Sequence, residues 1–425
     1  MAEIRDGKFA PLRIKLAWTA FFLVCFVVGR LIPVPLVHDA TSAASGRNSG
    51  LLNAASIVTG GAFFSSSLFA LGLGPWMGAA ILWRFLFIGQ LARDRKIPEE
   101  TVTRARNAVM VVLAILQAIG LSARYELDPL PWGPFPAQVN AQVVVVVVLT
   151  AGAILVAWLA HKNEDLGLGG ITMFILYQIV FSVVANVGVL SEATANPDDF
   201  LALAVVAVAC LCVLVAGIAT GNSELRLHVN KVAIDNGYTG TSYLPLKLKP
   251  AGASPIMYAL TLLVLPQFVA HAIAAVVPGA SGGVERFLAV WGLSSPVGFT
   301  VYLVLLFGLT LFFGLFTVGP KQVAERMQKA GEYFDRVAPG PDTRRYVRGK
   351  VLGLSALSGL FLVVVTGLPL YFMGRFPHLQ WVLMAPGTLL IVLGLVWMLK
   401  EEVADTMIGR KYSFSFTTPA RGGTA

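Results

Sequence analysis

The side chains best suited to acid–base work or metal ligation are His38, His161, His228, His271 and His378, and their spacing suits neither. They stand far apart, at the ends of apolar runs and in the connections between them, with no interval that would bring two imidazoles onto one ion. Cys25, Cys210 and Cys212 all lie inside apolar runs. Nothing in their spacing resembles a zinc site or an extracellular disulfide framework, and they read as small core residues. Leu166-Gly-Leu-Gly-Gly170 has the glycines of a phosphate loop, yet no Lys-Ser/Thr pair follows and the chain passes straight into another apolar run. The sequence therefore predicts no enzyme, no cofactor and no metal centre, so any work done must draw on another protein or on the membrane potential. Two features remain whose chemistry is that of passage rather than reaction. One is the small-residue stretch Thr59-Gly-Gly-Ala-Phe-Phe-Ser-Ser-Ser-Leu-Phe-Ala-Leu-Gly-Leu-Gly-Pro75. The other is Arg84, an arginine inside an apolar run, where it costs about 2.5 kcal/mol or more and has to face water or a partner.

The elements that must position these residues are membrane helices. The chain is 56% hydrophobic and 13% charged, with a mean hydropathy of +0.74, and a bilayer core of about 30 Å takes about 20 apolar residues per helix. Ten spans are predicted, at 15–33, 65–89, 107–123, 141–161, 170–191, 199–220, 255–277, 297–318, 350–373 and 380–399. Of the 32 Lys and Arg, only Arg47, Arg124, Arg286 and Arg375 fall in odd-numbered connections, and only Arg30 and Arg84 lie inside spans beyond their first residue, Lys15 and Lys350 each opening one. All the others lie in the N-terminal segment, the even-numbered connections and the tail, which places both termini in the cytosol. Arg93, Arg95, Lys96, Arg104 and Arg106 mark one inner connection, and Lys321, Arg326, Lys329, Arg336, Arg344, Arg345 and Arg348 another. They serve either as topogenic charge or as a docking surface. The net charge of +9 mostly reflects these connections and does not point to nucleic acid. The first span, preceded by Lys8, Arg13 and Lys15, runs into Pro33 and Pro35 without a cleavage site and is expected to be retained, with no soluble domain before or after the bundle.

Residues 34–64 are too long for a hairpin and too weakly apolar to span, and they contain a short helical pattern, Leu51-Leu-Asn-Ala-Ala-Ser-Ile-Val58. Either this is a re-entrant segment reversing at Gly60 and Gly61, since irregular backbone at membrane depth is tolerated inside protein or along a watery cavity, or it is an extracellular amphipathic loop.

Several segments, in order along nearly the whole chain, resemble the SecY family of protein-conducting channel subunits. Gly29-Arg-Leu-Ile-Pro-Val-Pro35 is similar to the end of that family's first helix, Gly60–Pro75 to its passage from plug to second helix, and Leu116-Gln-Ala-Ile-Gly120 to its third helix. Glu164–Thr172 is similar to the glycine-rich entry into the fifth, Tyr243-Leu-Pro-Leu-Lys-Leu-Lys-Pro-Ala-Gly252 to the approach to the seventh, Gly387-Thr-Leu-Leu-Ile391 to the tenth, and Arg410-Lys-Tyr412 to the closing motif. Asn230-Lys-Val-Ala-Ile-Asp-Asn236 with Pro255-Ile-Met-Tyr-Ala-Leu260 resembles the accessory branch, whose members export glycosylated, serine-rich adhesins. The connection 319–350 departs from the family: Ala338 stands where an arginine is usual before Pro339-Gly340, with Arg336 two positions away.

The resemblance implies an all-α integral membrane fold of ten helices in two inverted five-helix halves, residues 1–195 and 196–425, closing as a clamshell with a re-entrant plug. Motif by motif it implies a pore ring of Met77, Ile81, Ile175, Met257 and Ile391, a plug comprising Leu51, Leu52, Ala55, Ile57, Val58 and Gly60, and a lateral gate carrying Arg84, Gln117 and Thr261. Met77 and Ile81 are one helical turn apart and share a face, and methionine makes a soft gasket. Hydrogen bonds from the gate side chains are expected to hold the closed state. Lys329, Arg336, Arg344 and Arg345 are implied to face a motor. The expected partners are a SecA-type ATPase, SecE/SecG-like small membrane subunits, an unfolded substrate bearing a signal peptide, and the bilayer of a bacterial plasma membrane. The other readings are a housekeeping-type SecY channel and a secondary transporter of small solutes. The latter would need ionisable groups or broken helices converging at mid-membrane, for which only Pro75, Pro255 and Arg84 stand as candidates.

Overall fold

Uninterrupted apolar runs become helices because, in lipid, a helix satisfies every backbone N–H and C=O within its own segment. The computed structural model describes residues 2–39, 49–59, 66–86, 99–132, 136–185, 200–221, 223–231, 243–247, 254–277, 279–372 and 379–411, together with 61, 63, 134, 252 and 376. The first part of the chain forms α1 (Ala2–Leu31), β1 (Val37–Asp39), α2 (Ser49–Thr59), α3 (Gly74–Leu86), α4 (Glu99–Ser122), β2 (Glu126–Leu127), α5 (Ala137–Leu166) and α6 (Gly170–Ala185). Then come α7 (Phe200–Gly221), β3 (Glu224–His228), β4 (Asn230–Lys231), β5 (Tyr243–Lys247), α8 (Ser254–Val276), α9 (Ser281–Trp291) and α10 (Pro296–Val318). The chain continues through α11 (Pro320–Ala330), β6 (Glu332–Tyr333), α12 (Pro341–Tyr371), α13 (Gln380–Leu383) and α14 (Ala385–Lys411). Among the described residues three small antiparallel pairs, β1–β2, β3–β5 and β4–β6, join connections between helices.

Among the described residues six helical stretches are long and apolar enough to cross a membrane, and two more, Gly170–Val184 and Leu203–Ala219, are apolar but shorter. Each expected span overlaps a helix, with two differences that proline and glycine explain. The second was expected from residue 65, but α3 begins at Gly74, where Pro75 suits the first turn because it needs no intrahelical donor. Ahead of it the chain makes tight turns through Gly72 at φ 53. The last was expected as one helix over 380–399, but it divides at Met384 into α13 and α14. Continuing through Pro386 would leave the Val382 carbonyl without its N–H partner.

α8 occupies the middle of the bundle, packing against α2, α3, α4, α9, α10 and α14. α1 lies against α5 and α6, while α7 lies against α12 and α14. Large apolar side chains such as Val112, Val147, Trp158, Leu211, Val304 and Leu357 stay exposed on the outer faces, an arrangement suited to lipid. A separate small core, with Leu227, Leu246, Val323, Met327, Phe334 and Val347, lies under the β3–β5 hairpin and α11.

Candidate functional site

Every described side chain of α2 is buried, including Leu51, Leu52, Ala54, Ala55, Ser56 and Thr59. The helix packs against α3, α6, α8 and α13, so it is inserted into the bundle and is not the amphipathic outer loop that the sequence also allowed. Gly60 and the side chains of Ile57 and Val58 lie outside the described residues. The Thr59 hydroxyl donates to the Ala55 carbonyl at 2.8 Å, and the Leu73 N–H donates to the Thr59 carbonyl at 2.7 Å, joining the end of α2 to the approach of α3. Around α2 the chain is pinned at a stem, where Val34 N–H donates to the Ser66 carbonyl at 2.7 Å and Leu68 N–H to the Ile32 carbonyl at 2.9 Å.

The five residues expected to form a constriction, Met77 and Ile81 on α3, Ile175 on α6, Met257 on α8 and Ile391 on α14, are all buried and belong to one apolar core together with α2. None of the five faces outward to lipid. Ala54 of α2 and Ile391 line a cavity of about 30 Å³ with Ile256, Leu260, Thr366 and Thr388, room for about one water.

Within the same bundle runs a seam, with α3 and α4 on one side and α8 and α10 on the other. The backbones of α4 and α8 approach closely, since a Cβ on Gly120 would lie 2.6 Å from the Phe268 carbonyl oxygen, while a Cβ on Gly78 of α3 would face the Leu265 side chain at ordinary contact distance, 3.8 Å. The three expected gate residues do not bond to one another. Thr261 donates to its own helix, at the Met257 carbonyl, at 2.9 Å. The buried Gln117 Oε1 has no hydrogen-bond partner among the described residues. Arg84 instead lies against aromatic faces, its guanidinium carbon 5.7 Å from the Tyr258 ring centre and 5.2 Å from those of Phe313 and Phe316. Each such contact contributes about 0.5–1 kcal/mol when exposed and more when desolvated. Phe85 stacks on Phe312 at 4.8 Å beside it. At this seam the described contacts of Arg84 are thus cation–aromatic, and the Thr261 hydroxyl bonds within its own helix. Tyr258, Phe312, Phe313 and Phe316 were missed in the sequence, although Phe313 and Phe316, three apart on one helix, share a face, and an arginine in an apolar run calls for such a partner.

The basic residues separate into two groups. Arg336 and Arg345 line one shallow groove with Ala338, Asp342, Tyr346 and Lys350. Lys329, in the last turn of α11, and Arg344 on α12 are exposed and lie outside that groove. The turn through Ala338 and Pro339 is closed by the Thr343 hydroxyl, which donates to the Ala338 carbonyl at 2.9 Å, and by Gly340 at φ 101, a conformation that L side chains rarely adopt. Arg336 itself holds a left-handed φ of 60. Arg93, Arg95 and Lys96 fall outside the described residues, as does Tyr412.

The sequence profile of the SecY family matches residues 67–399. The accessory Sec system protein translocase subunit SecY2 of Streptococcus sanguinis is 32% identical over 95% of this chain and 98% of its own length. The SecY2 of Leuconostoc gelidum subsp. gasicomitatum is 30% identical over 95% of this chain and 96% of its own. Among solved structures, one described as "The structure of a protein conducting channel" aligns with a TM-score of 0.65 at 17% identity, covering 97% of this chain and 95% of that one. Sec61 from the canine ribosome–channel complex aligns with a TM-score of 0.59 at 18% identity, again over 97% of this chain and 95% of the other. With a family profile spanning most of its length and relatives of this identity from end to end, the chain belongs to the SecY family.

Proposed function

We propose that this chain is the pore-forming subunit of a protein translocase of the accessory Sec type, passing unfolded polypeptide across a bacterial plasma membrane. The observation that carries this reading is the burial of α2 against α3, α6 and α8, three of the helices that bear the apolar residues of the expected constriction. A narrow ring of apolar side chains excludes water when empty and repacks around an extended chain when occupied. In this reading Met77, Ile81, Ile175, Met257 and Ile391 form that ring. α2, with Leu51, Leu52 and Ala55, is the plug that leaves its seat when substrate enters. The ten spans form two inverted halves, residues 1–195 and 196–425, with both termini cytosolic, and the seam between α3/α4 and α8/α10 is the lateral exit toward lipid.

ATP hydrolysis is assigned to a separate SecA-type motor engaging the exposed basic residues Lys329, Arg336, Arg344 and Arg345, with SecE/SecG-like subunits bracing the outside. Glycosylated serine-rich surface proteins are the proposed cargo, in keeping with the SecY2 relatives. The test is to stall a secretory chain in membranes containing this protein, with a photo-crosslinker placed at position 81 or 257. Adducts with the stalled chain at both positions are expected. Labelling confined to lipid at both positions would overturn the assignment.

A further inference from the structure

Arg84 sits at the end of α3 that leads toward the basic connections, but every ring it touches belongs to the opposite side of the seam. Tyr258 is in the first turns of α8, and Phe313 and Phe316 are in the last turns of α10. The rings form a preformed pocket. Tyr258 stacks on Phe313 at 4.9 Å with the planes 11° apart, and Phe312 meets Phe313 edge-on at 5.4 Å and stacks on Phe316 at 6.3 Å. α8 and α10 pack directly on each other. Separation of α3 from α8 and α10 would therefore remove the cation, and Phe85 from Phe312, while the contacts of Tyr258 with Phe313 and of Phe312 with Phe313 and Phe316 lie wholly within α8 and α10. Among the described residues Arg84 forms no ion pair with a carboxylate. A second cation could thus replace it without leaving an acid uncompensated.

We propose that the pocket of Tyr258, Phe313 and Phe316 is a cation site. It holds Arg84 while the seam is closed, and it takes a lysine or arginine flanking the apolar segment of the passenger once the seam opens. This rests on the translocase reading and adds a specificity to it. A signal segment has a positively charged region before its apolar run, and the pocket lies at the end of the seam where that region would arrive. Loss of the Arg84 contact on opening is offset by the incoming cation, so an apolar segment without a basic flank opens the seam less readily.

The test uses the full-length chain in phosphatidylcholine nanodiscs, a zwitterionic surface that does not itself attract the peptide. The probes are two synthetic peptides with the same Leu/Ala-rich apolar run and a central photo-crosslinker, one with three N-terminal lysines and one with three glutamines. The lysine peptide is expected to bind and cross-link to α3 or α8 about 5-fold more tightly than the glutamine peptide, the size of one cation–aromatic contact. In Arg84→Gln, where the rings remain and the internal occupant is gone, the lysine peptide is expected to gain a further several-fold while the glutamine peptide does not. In Phe313→Leu/Phe316→Leu the lysine preference is expected to vanish with binding of the glutamine peptide retained. Arg84→Gln keeps the aromatic walls, so it reports on the pocket even where the double variant folds poorly. Equal affinities of the two peptides for the native chain and for Arg84→Gln would overturn the cation site while leaving the channel reading intact. Failure of both peptides to cross-link anywhere along the seam would overturn both.

Discussion

Asn163 is wholly buried, and its side-chain amide donates to the carbonyls of Leu168 at 3.1 Å and Gly170 at 2.9 Å. The Thr19 hydroxyl accepts the Leu168 N–H at 2.8 Å, and Glu402 takes the Gly169 N–H at 3.0 Å. The amides of Leu168 and Gly169, which in a phosphate loop would face a ligand, are thus committed to the protein itself. Asn163→Ala removes two donors from buried carbonyls, and a loss of about 2 kcal/mol is expected in reversible chemical unfolding in mixed micelles. The sequence argued against nucleotide binding here, because the Lys-Ser/Thr pair of a phosphate loop does not follow the glycines. It could not show what the glycines are for. Gly169 and Gly170 have φ of 73 and 42, and the partners that fix the turn, Thr19 and Glu402, lie 149 and 233 positions away along the chain. Arg84 shows the same limit: its need for a partner was legible, but the rings that meet it come from two remote helices.

Among helices, the contact that sets the width of the seam is the crossing of α4 on α8 at Gly120. A methyl there would meet backbone, 2.6 Å from the Phe268 oxygen and 3.0 Å from its Cα, and backbone cannot rotate aside as a flexible side chain does. Gly120→Ala is expected to push α4 away from α8, seen as faster amide hydrogen exchange along both helices and a stability loss of about 1–3 kcal/mol. Gly308→Ala on α10, where an added Cβ meets nothing within 4 Å, is the matched control and should leave exchange unchanged. Helix positions were readable from the apolar runs, since a bilayer leaves the backbone few alternatives. The ends at Gly74 and Met384 were not, because the runs stay apolar through them and only Pro75 and Pro386 mark the break. The motif Leu116–Gly120 was visible as a likeness, and its geometry explains part of it: Gly120 permits the close crossing, and Gln117 Oε1 lies 3.2 Å from where a Cβ on Gly74 would stand.

At the scale of the whole molecule, α14, the last described helix, reaches back to grip the connection between α5 and α6. Both Glu402 carboxylate oxygens accept from Gly169 N–H, at 3.0 and 3.1 Å, in the connection between α5 and α6. Beside it Glu401 pairs with Lys247 of β5, with both side chains more than half exposed. Exposed pairs contribute about 0–1 kcal/mol, so Glu401→Ala should change little. Glu402→Ala should speed hydrogen exchange over residues 166–172, read by mass spectrometry on the intact protein. A result in which the two variants behave alike would remove the clasp from the account. The stem formed by Val34, Ser66, Ile32 and Leu68 has a different consequence. It is itself wedged against α5, where a Cβ on Gly152 would collide with the Leu68 carbonyl oxygen. Both ends of the excursion that contains α2 are therefore moored to the scaffold. Were α2 to leave its seat as the proposed plug, these moorings would hold the two ends of its excursion to the scaffold, so that the displacement would stay local and the helix could drop back once the way is clear.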